Sequence, residues 1–176
     1  MIPAPQLPTS FTIRLLTRAD AALYREIRLE ALAAHPEAFS STFAREQEKP
    51  LAWFEERLTT SDVFGAFTEQ ELLGVAGFRR QEGAKTEHKA VLWGMYVRPQ
   101  ARKSGAGKLL IDAIVAHAAK HVEQLQLAVI SENEAALRLY TAAGFVEYGR
   151  EVKALKQGGR YFDEILMALF FGGSGR

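Results

Sequence analysis

One stretch of this 176-residue chain gathers residue types suited to holding an anion: Met95-Tyr96-Val97-Arg98-Pro99-Gln100-Ala101-Arg102-Lys103-Ser104-Gly105-Ala106-Gly107-Lys108. An apolar run leads into a turn at Pro99 and then into a helix whose first residues are small. Backbone N–H groups at a helix start point outward unpaired and share the positive end of the helix dipole. Gly105 and Gly107 leave the backbone open to a bulky group, and Arg102, Lys103 and Lys108 add full charges. The chemistry asks for a phosphate, most naturally a diphosphate. A nucleoside-triphosphate loop is disfavoured, because Arg102 stands in place of its first glycine and Leu109 in place of its hydroxyl. The dinucleotide fingerprint fails as well, with Leu110 at the third glycine. Taken alone, the turn would serve equally as an ordinary helix cap.

The elements that must position this turn can be read from apolar spacing. Phe11 to Leu16 alternates as a strand, and Thr17 with Asp20 opens a helix from Arg18 to Ala34 that stops before Pro36. His35 to Lys49 carries no clear period; Pro50 starts a helix with Leu51, Phe54 and Leu58 on one face. Val63 to Thr68 and Leu72 to Phe78 form a hairpin, Gln81 to His88 a polar loop, and Lys89 to Val97 the next strand. A helix from Gly105 to Lys120, a buried strand from Leu125 to Ile130 and a helix from Asn133 to Ala142 follow, the last ended by Gly144. Phe145 to Tyr148 and Tyr161 to Phe170 are the final strands. Strands and helices mixed in one compact unit define an α/β (α+β) fold.

Composition narrows the classes. The formal charge is +1, with 48% hydrophobic and 24% charged residues, as in an ordinary globular domain. Near-neutral charge argues against a protein that grips nucleic acid, and no run approaches the length of about 20 apolar residues that a membrane helix needs. There is no cysteine, so disulfides, thiolate metal sites and a cysteine nucleophile are excluded; a cytoplasmic setting is expected. Residues 1–10 read as a flexible tail, 11–171 as one domain, and 172–176 as a second flexible tail of linker composition, such as a cloning remnant. His117 and His121 stand four apart, but no third ligand accompanies them, so no metal is expected. Trp53 and Trp93 read as core or cleft wall rather than as bases' stacking partners.

Arg102-x-x-Gly105-x-Gly107, preceded by Met95-x-Val97-x-Pro99, resembles the coenzyme A signature of the GNAT superfamily of N-acetyltransferases. A second linked block agrees: Leu127-x-Val129, Asn133, Ala135-Ala136-Leu137, Leu139-Tyr140 and Ala143-Gly144-Phe145. The close match runs from His88 to Phe145. The resemblance implies a mixed, mostly antiparallel sheet flanked by helices, with a V-shaped gap between the strands ending near Val97 and Ile130. Backbone groups of Met95 and Val97 would pair with the pantetheine arm, a backbone N–H near Met95 or Tyr96 would face the thioester oxygen, and the segment from Arg102 through Lys103, Ser104, Gly105, Ala106, Gly107 and Lys108 would cradle the pyrophosphate. Asn133 would bond the pantetheine, and Tyr140 would lie by the sulfur and protonate the departing thiolate.

The implied reaction is transfer of an acetyl group from acetyl-CoA to a primary amine by direct attack, without a metal. In many members of the superfamily a carboxylate on one of the splayed strands takes the amine's proton, but Val91 and Ala128 fill both usual places here. Glu132, His88, Asp163, Glu164 or a carboxylate between Glu30 and Glu48 would have to substitute, and Asp163 at its strand start is preferred among them. The missing carboxylates keep two alternatives open: a coenzyme A-binding sensor without turnover, and an acyltransferase using another donor or acceptor. The variable segment holding Phe39, Phe43, Glu46 and Trp53 would shape the acceptor pocket. Assembly as a homodimer is left open.

Overall fold

The structure is a computed structural model that describes residues 10–69 and 71–172. Both expected tails lie outside these residues apart from Ser10 and Gly172. The strands are β1 (Thr12–Leu15), β2 (Asp62–Thr68), β3 (Glu71–Arg80), β4 (Lys89–Val97), β5 (Gln124–Ile130), β6 (Val146–Gln157) and β7 (Arg160–Phe170). The helices are α1 (Ala21–Ala34), α2 (Phe43–Gln47), α3 (Leu51–Thr60), α4 (Ala106–Ala118) and α5 (Glu134–Ala142). One sheet runs in the order β1-β2-β3-β4-β5-β7-β6, antiparallel throughout except for the parallel pair β4–β5. Among the described residues no helix is long and apolar enough to cross a membrane.

Period-2 alternation on the strands sends one set of side chains to each face, and each face buries its own helices. Leu110, Ile111, Ile114 and Ala118 of α4 pack with Phe78, Leu92, Leu125 and Leu127. On the opposite face Tyr24, Ile27 and Ala31 of α1 and Phe54 and Leu58 of α3 pack with Val63, Phe67 and Val75. The α5 face joins the α4 side through Tyr140 and Phe145.

Several expected boundaries move, each for a local reason. The first helix opens as a 3-10 turn at Arg18–Asp20, because the Asp20 carboxylate folds back on the Thr17 N–H at 2.7 Å, and α1 proper starts at Ala21. The segment from His35 to Lys49, which has no clear period, contains a 3-10 turn at Pro36–Ala38 and the short α2. The strand expected from Phe145 to Tyr148 is far longer: β6 reaches Gln157, with irregularities at Glu147/Gly149 and Glu151/Leu155. Those irregularities interrupt the alternation that marks a strand, so a single sequence hides its length.

The feature that matters most for a site is the parting of β4 from β5. They pair over Lys89↔Gln124, Ala90↔Leu125 and Val91↔Gln126 only, and then separate. Just past that point β4 carries a bulge: Val75 of β3 faces Tyr96, but Gly77 faces Trp93, so Gly94 and Met95 together oppose Ala76. Gly94 sits at φ +62°, a left-handed conformation that costs an L-residue about 1–2 kcal/mol. A bulge bends its strand and sharpens the twist, which turns β4 away from β5.

A Cβ at Gly94 would meet only Arg28 Nη1, at 3.5 Å, an ordinary contact. Gly94→Ala is therefore expected to lower stability by about 1–2 kcal/mol through backbone strain alone. Urea unfolding checks this, and an unchanged midpoint would show that the bulge does not depend on glycine.

Candidate active site

The turn ahead of α4 is built around left-handed residues. Lys103 has φ +61° and Gly105, the N-cap residue, φ +95°. The Arg102 N–H closes on the Pro99 carbonyl at 3.2 Å, and the next N–H with a backbone acceptor is that of Leu109, on the Gly105 carbonyl at 3.0 Å. Among the described residues the N–H groups of Lys103, Ser104, Gly105, Ala106, Gly107 and Lys108 make no backbone–backbone hydrogen bond. A run of unpaired amides at a helix start is an anion-binding arrangement.

The side chains around this turn are less free than their sequence suggests. Arg102 does not reach out: its Nε donates to the Val97 carbonyl at 3.0 Å and its Nη2 lies 3.1 Å from His35 Nε2. The Lys108 ammonium pairs with Asp112, and the Ser104 hydroxyl donates to the Ala101 carbonyl. Nothing stands within 4 Å of a Cβ at Gly105, whereas one at Gly107 would lie 3.5 Å from Leu139 and 3.6 Å from Met95. Gly105 thus opens the front of the helix, whereas at Gly107 a methyl would make only ordinary contacts with α5 and β4.

Met95 and Val97 pack on the α4 side, and Tyr96 turns to the other, where its hydroxyl donates to Glu30 at 3.0 Å. Asn133 caps α5, its Oδ1 accepting from the Ala136 N–H at 3.1 Å. Tyr140 is 6% exposed and packs edge-on against Phe145, and its burial pushes the phenol above its ordinary pKa.

Behind the parting of β4 and β5, on the α1–α3 face, lies a cleft of about 1210 Å³. Val91 and Ala128, the two apolar replacements, are both in its wall, and so are Trp53, Trp93, Arg57 and Glu164. Trp93 lies flat over Gly77, where a Cβ would come within 2.4 Å of the indole. Deeper in, Arg28 holds Glu46 through two hydrogen bonds of 2.9 and 2.8 Å, with both residues buried. Removing one partner of such a pair would leave an uncompensated buried charge.

The cleft also discriminates among the carboxylates expected to serve as base. Asp163 is tied to Arg150 at 2.8 Å and to the Lys153 N–H at 2.8 Å. The Lys153 N–H and Arg150 hold its pKa below the ordinary value, which makes it a poorer base than an unpaired carboxylate. Glu132 pairs with Arg160 at 2.6 Å. Glu164 is different: it borders the cleft as Ala128 does, and burial, followed by the facing Glu151, raises its pKa. The His117 Nε2–H donates to the Asp62 carboxylate at 2.8 Å, and among the described residues no group of metal-ligating side chains gathers.

Known proteins share both sequence and fold with the chain. Residues 24–145 match the model of the acetyltransferase (GNAT) family. A mycothiol acetyltransferase of Streptomyces scabiei is 32% identical over 147 residues, covering 82% of this chain and 46% of that protein. An L-methionine sulfoximine/L-methionine sulfone acetyltransferase of Salmonella typhimurium is 27% identical over 160 residues, covering 90% and 93%. A Salmonella typhimurium structure described as yncA, a putative acetyltransferase with its cofactor acetyl-CoA, superposes with a TM-score of 0.78 at 22% identity, covering 95% of this chain and 97% of that one. The chain belongs to the acetyltransferase (GNAT) family. It spans about half the length of the mycothiol acetyltransferases it matches.

A raised carboxylate pKa means that folding favours the protonated form, so the ionised Glu164 weakens the fold at neutral pH and the penalty disappears as pH falls below the ordinary carboxylate value. Glu164→Gln is expected to melt higher than the wild type at pH 8, with the difference closing near pH 4. Equal differences at both pH values, read by calorimetry, would contradict this environment for Glu164.

Proposed function

We propose that the protein transfers an acetyl group from acetyl-CoA to a primary amine, with both substrates meeting where β4 leaves β5. The observation that carries this reading is the placement of unpaired amides, Lys103 to Lys108, on one side of the opening and of Glu164 on the other. The amides would take the diphosphate and Lys103 would add charge. The arm of the cofactor would then run between the parted strands, its amide groups pairing with β4 backbone near Met95 and Val97 as an added strand does. Asn133 would bond the arm at the start of α5.

Glu164 takes the proton from the ammonium, and the free amine attacks the thioester carbon. The oxyanion that forms is held by a backbone N–H near Met95 or Tyr96. The carbon–sulfur bond then breaks, and the surplus proton on the attacking nitrogen passes to the thiolate, so that the products are the neutral amide and the free thiol. A thiol of pKa about 8.5 is a better acid than a phenol whose pKa is already above 10. Tyr140 therefore donates a hydrogen bond to the sulfur more readily than it surrenders its proton. A raised pKa on Glu164 suits a base working near neutrality.

The relatives named above support acetyl transfer, and the 27% identical one, matched over nearly its whole length, acts on amino-acid derivatives by its name. A cytoplasmic setting is proposed with it, consistent with a chain that has no cysteine.

Acetyl-CoA incubated with a panel of primary amines is expected to release free thiol. Glu164→Gln should lower kcat by about 100-fold or more, flatten the acidic limb of the pH–rate profile and leave the KM for acetyl-CoA unchanged. Binding of acetyl-CoA with no amine-dependent thiol release would establish the sensor instead.

A further inference from the structure

The inner end of the cleft carries more positive charge than its own carboxylates neutralise. Both oxygens of Glu46 are taken by Arg28, at 2.9 and 2.8 Å. Arg57 comes only within 3.7 Å of Glu46 Oε1, and its N–H groups donate to no acceptor among the described residues. Its guanidinium is clamped instead between two aromatic rings, 4.7 Å from the Trp53 centroid and 4.7 Å from that of Trp93. Stacking fixes the plane of a guanidinium and leaves its N–H edges for a ligand.

A second cation stands close by. Arg79 faces Val91 across the β3–β4 ladder, borders the same cleft and has no carboxylate partner among the described residues. Desolvation lowers the Arg57 pKa; Tyr24 and Glu46 oppose that shift, and Arg28 and Arg79 add to it. An anion seated between Arg57 and Arg79 would relieve that strain on the charged form. Glu56, Glu82 and Glu87 also border the cleft and are exposed, as are Arg45, Arg79 and Arg80, so solvent screens all six.

The opposite wall has the opposite sign. Glu164 lies on β7 opposite Ile130 of β5, with Glu151 opposite it on β6, and it borders the cleft as Ala128 does. Val91 and Ala128 form an apolar floor between the two charged walls, and Val91 is the last β4 residue paired with β5. A cationic wall, an apolar floor at the point of transfer and an anionic wall together describe a receptor for a small dipolar ion.

Building on the acetyl-transfer reading, we infer that the acceptor enters as a zwitterionic amino acid, its carboxylate held by Arg57 and Arg79 and its amine turned toward Glu164. Guanidinium groups bind carboxylates through paired, charge-assisted hydrogen bonds, which give orientation as well as affinity. Anchoring the carboxylate fixes the amine a few bonds away, at the mouth of the opening. Phe39, Trp53 and Trp93 leave an apolar space for the side chain. A protein N-terminus offers the amine without the adjacent carboxylate and leaves both arginines unpaired.

The test compares L-methionine, L-leucine and L-phenylalanine with their amides, in turnover with acetyl-CoA and in calorimetric titration of the acetyl-CoA-loaded protein. The amide of an amino acid has an amine pKa near that of a peptide's terminal amine, about 7.7–8.0, so more of it is free base at pH 8 and intrinsic reactivity favours it. The free acids are nevertheless expected to win by about tenfold or more in kcat/KM, a difference worth about 1.4 kcal/mol. The exposed Arg79→Gln and the charge-keeping Arg57→Lys should each erase most of that preference by raising the KM of the acid, with the KM of acetyl-CoA unchanged. Equal use of acid and amide, or variants that leave their ratio intact, would overturn the inference while acetyl transfer stood. If no amine were acetylated, the acetyl-transfer reading would fail, and the calorimetric ratio of acid to amide would still decide the subsite: tighter binding of the acid supports it, and equal or absent binding overturns it.

Discussion

A strand pair that stops pairing organises this molecule. β4 and β5 share three register positions and then part, leaving backbone donors and acceptors of two central strands without their natural partners. Such groups are expensive to bury unsatisfied, and their normal fate is a sheet ladder or water. Here the opening is held by structure on both sides: the Gly94 bulge turns β4 outward, while β7 keeps β5 in register from Gln124 to Ile130. The result is a slot with exposed peptide groups in the middle of an otherwise closed sheet. It fits a ligand arm that itself carries amides. The helix that follows β4 brings free N–H groups to one mouth of the slot, and the charged cleft lies behind the other.

Around the slot, charge is arranged by commitment and release. Arg28 and Glu46 neutralise each other in the interior, and Arg102 spends its guanidinium on the Val97 carbonyl and His35. Asp163 is likewise bound to Arg150. These contacts define the shape of the site and remove those groups from chemistry. Among the described residues, the amide run at Lys103–Lys108, the Arg57–Arg79 pair and Glu164 keep hydrogen-bonding capacity for a ligand. The division between occupied and available groups is therefore visible only when every partner is known.

That division explains which parts of the site could be read from the sequence. The turn ahead of α4 is local: glycines, small residues and a helix start within a few positions determine where its amides point, so Arg102 to Lys108 stood out. The replacement of carboxylates at Val91 and Ala128 was equally plain. The base was harder, because adjacent residues of a strand face opposite sides and a shift of one exchanges them. Asp163 and Glu164 are neighbours in sequence, yet the first meets Arg150 on β6 and the second borders the cleft. Arg57 and Arg79 carried no signal at all, since their setting depends on α3 meeting β3 and β4 across long sequence separations. Gly94 was equally silent, a glycine within an apolar run having several meanings before the register is known. The reach of β6 was hidden by its irregular middle.

The most direct measurement follows the backbone amides themselves. In a titration with coenzyme A monitored by 1H–15N correlation spectra, the account predicts large downfield shifts for the amides between Lys103 and Lys108, with smaller changes at Met95 to Val97 and at Asn133. Hydrogen bonds to phosphate oxygens are charge-assisted and short, and they deshield the donor proton. Binding accompanied by shifts elsewhere, with the Lys103–Lys108 amides unmoved, would contradict it.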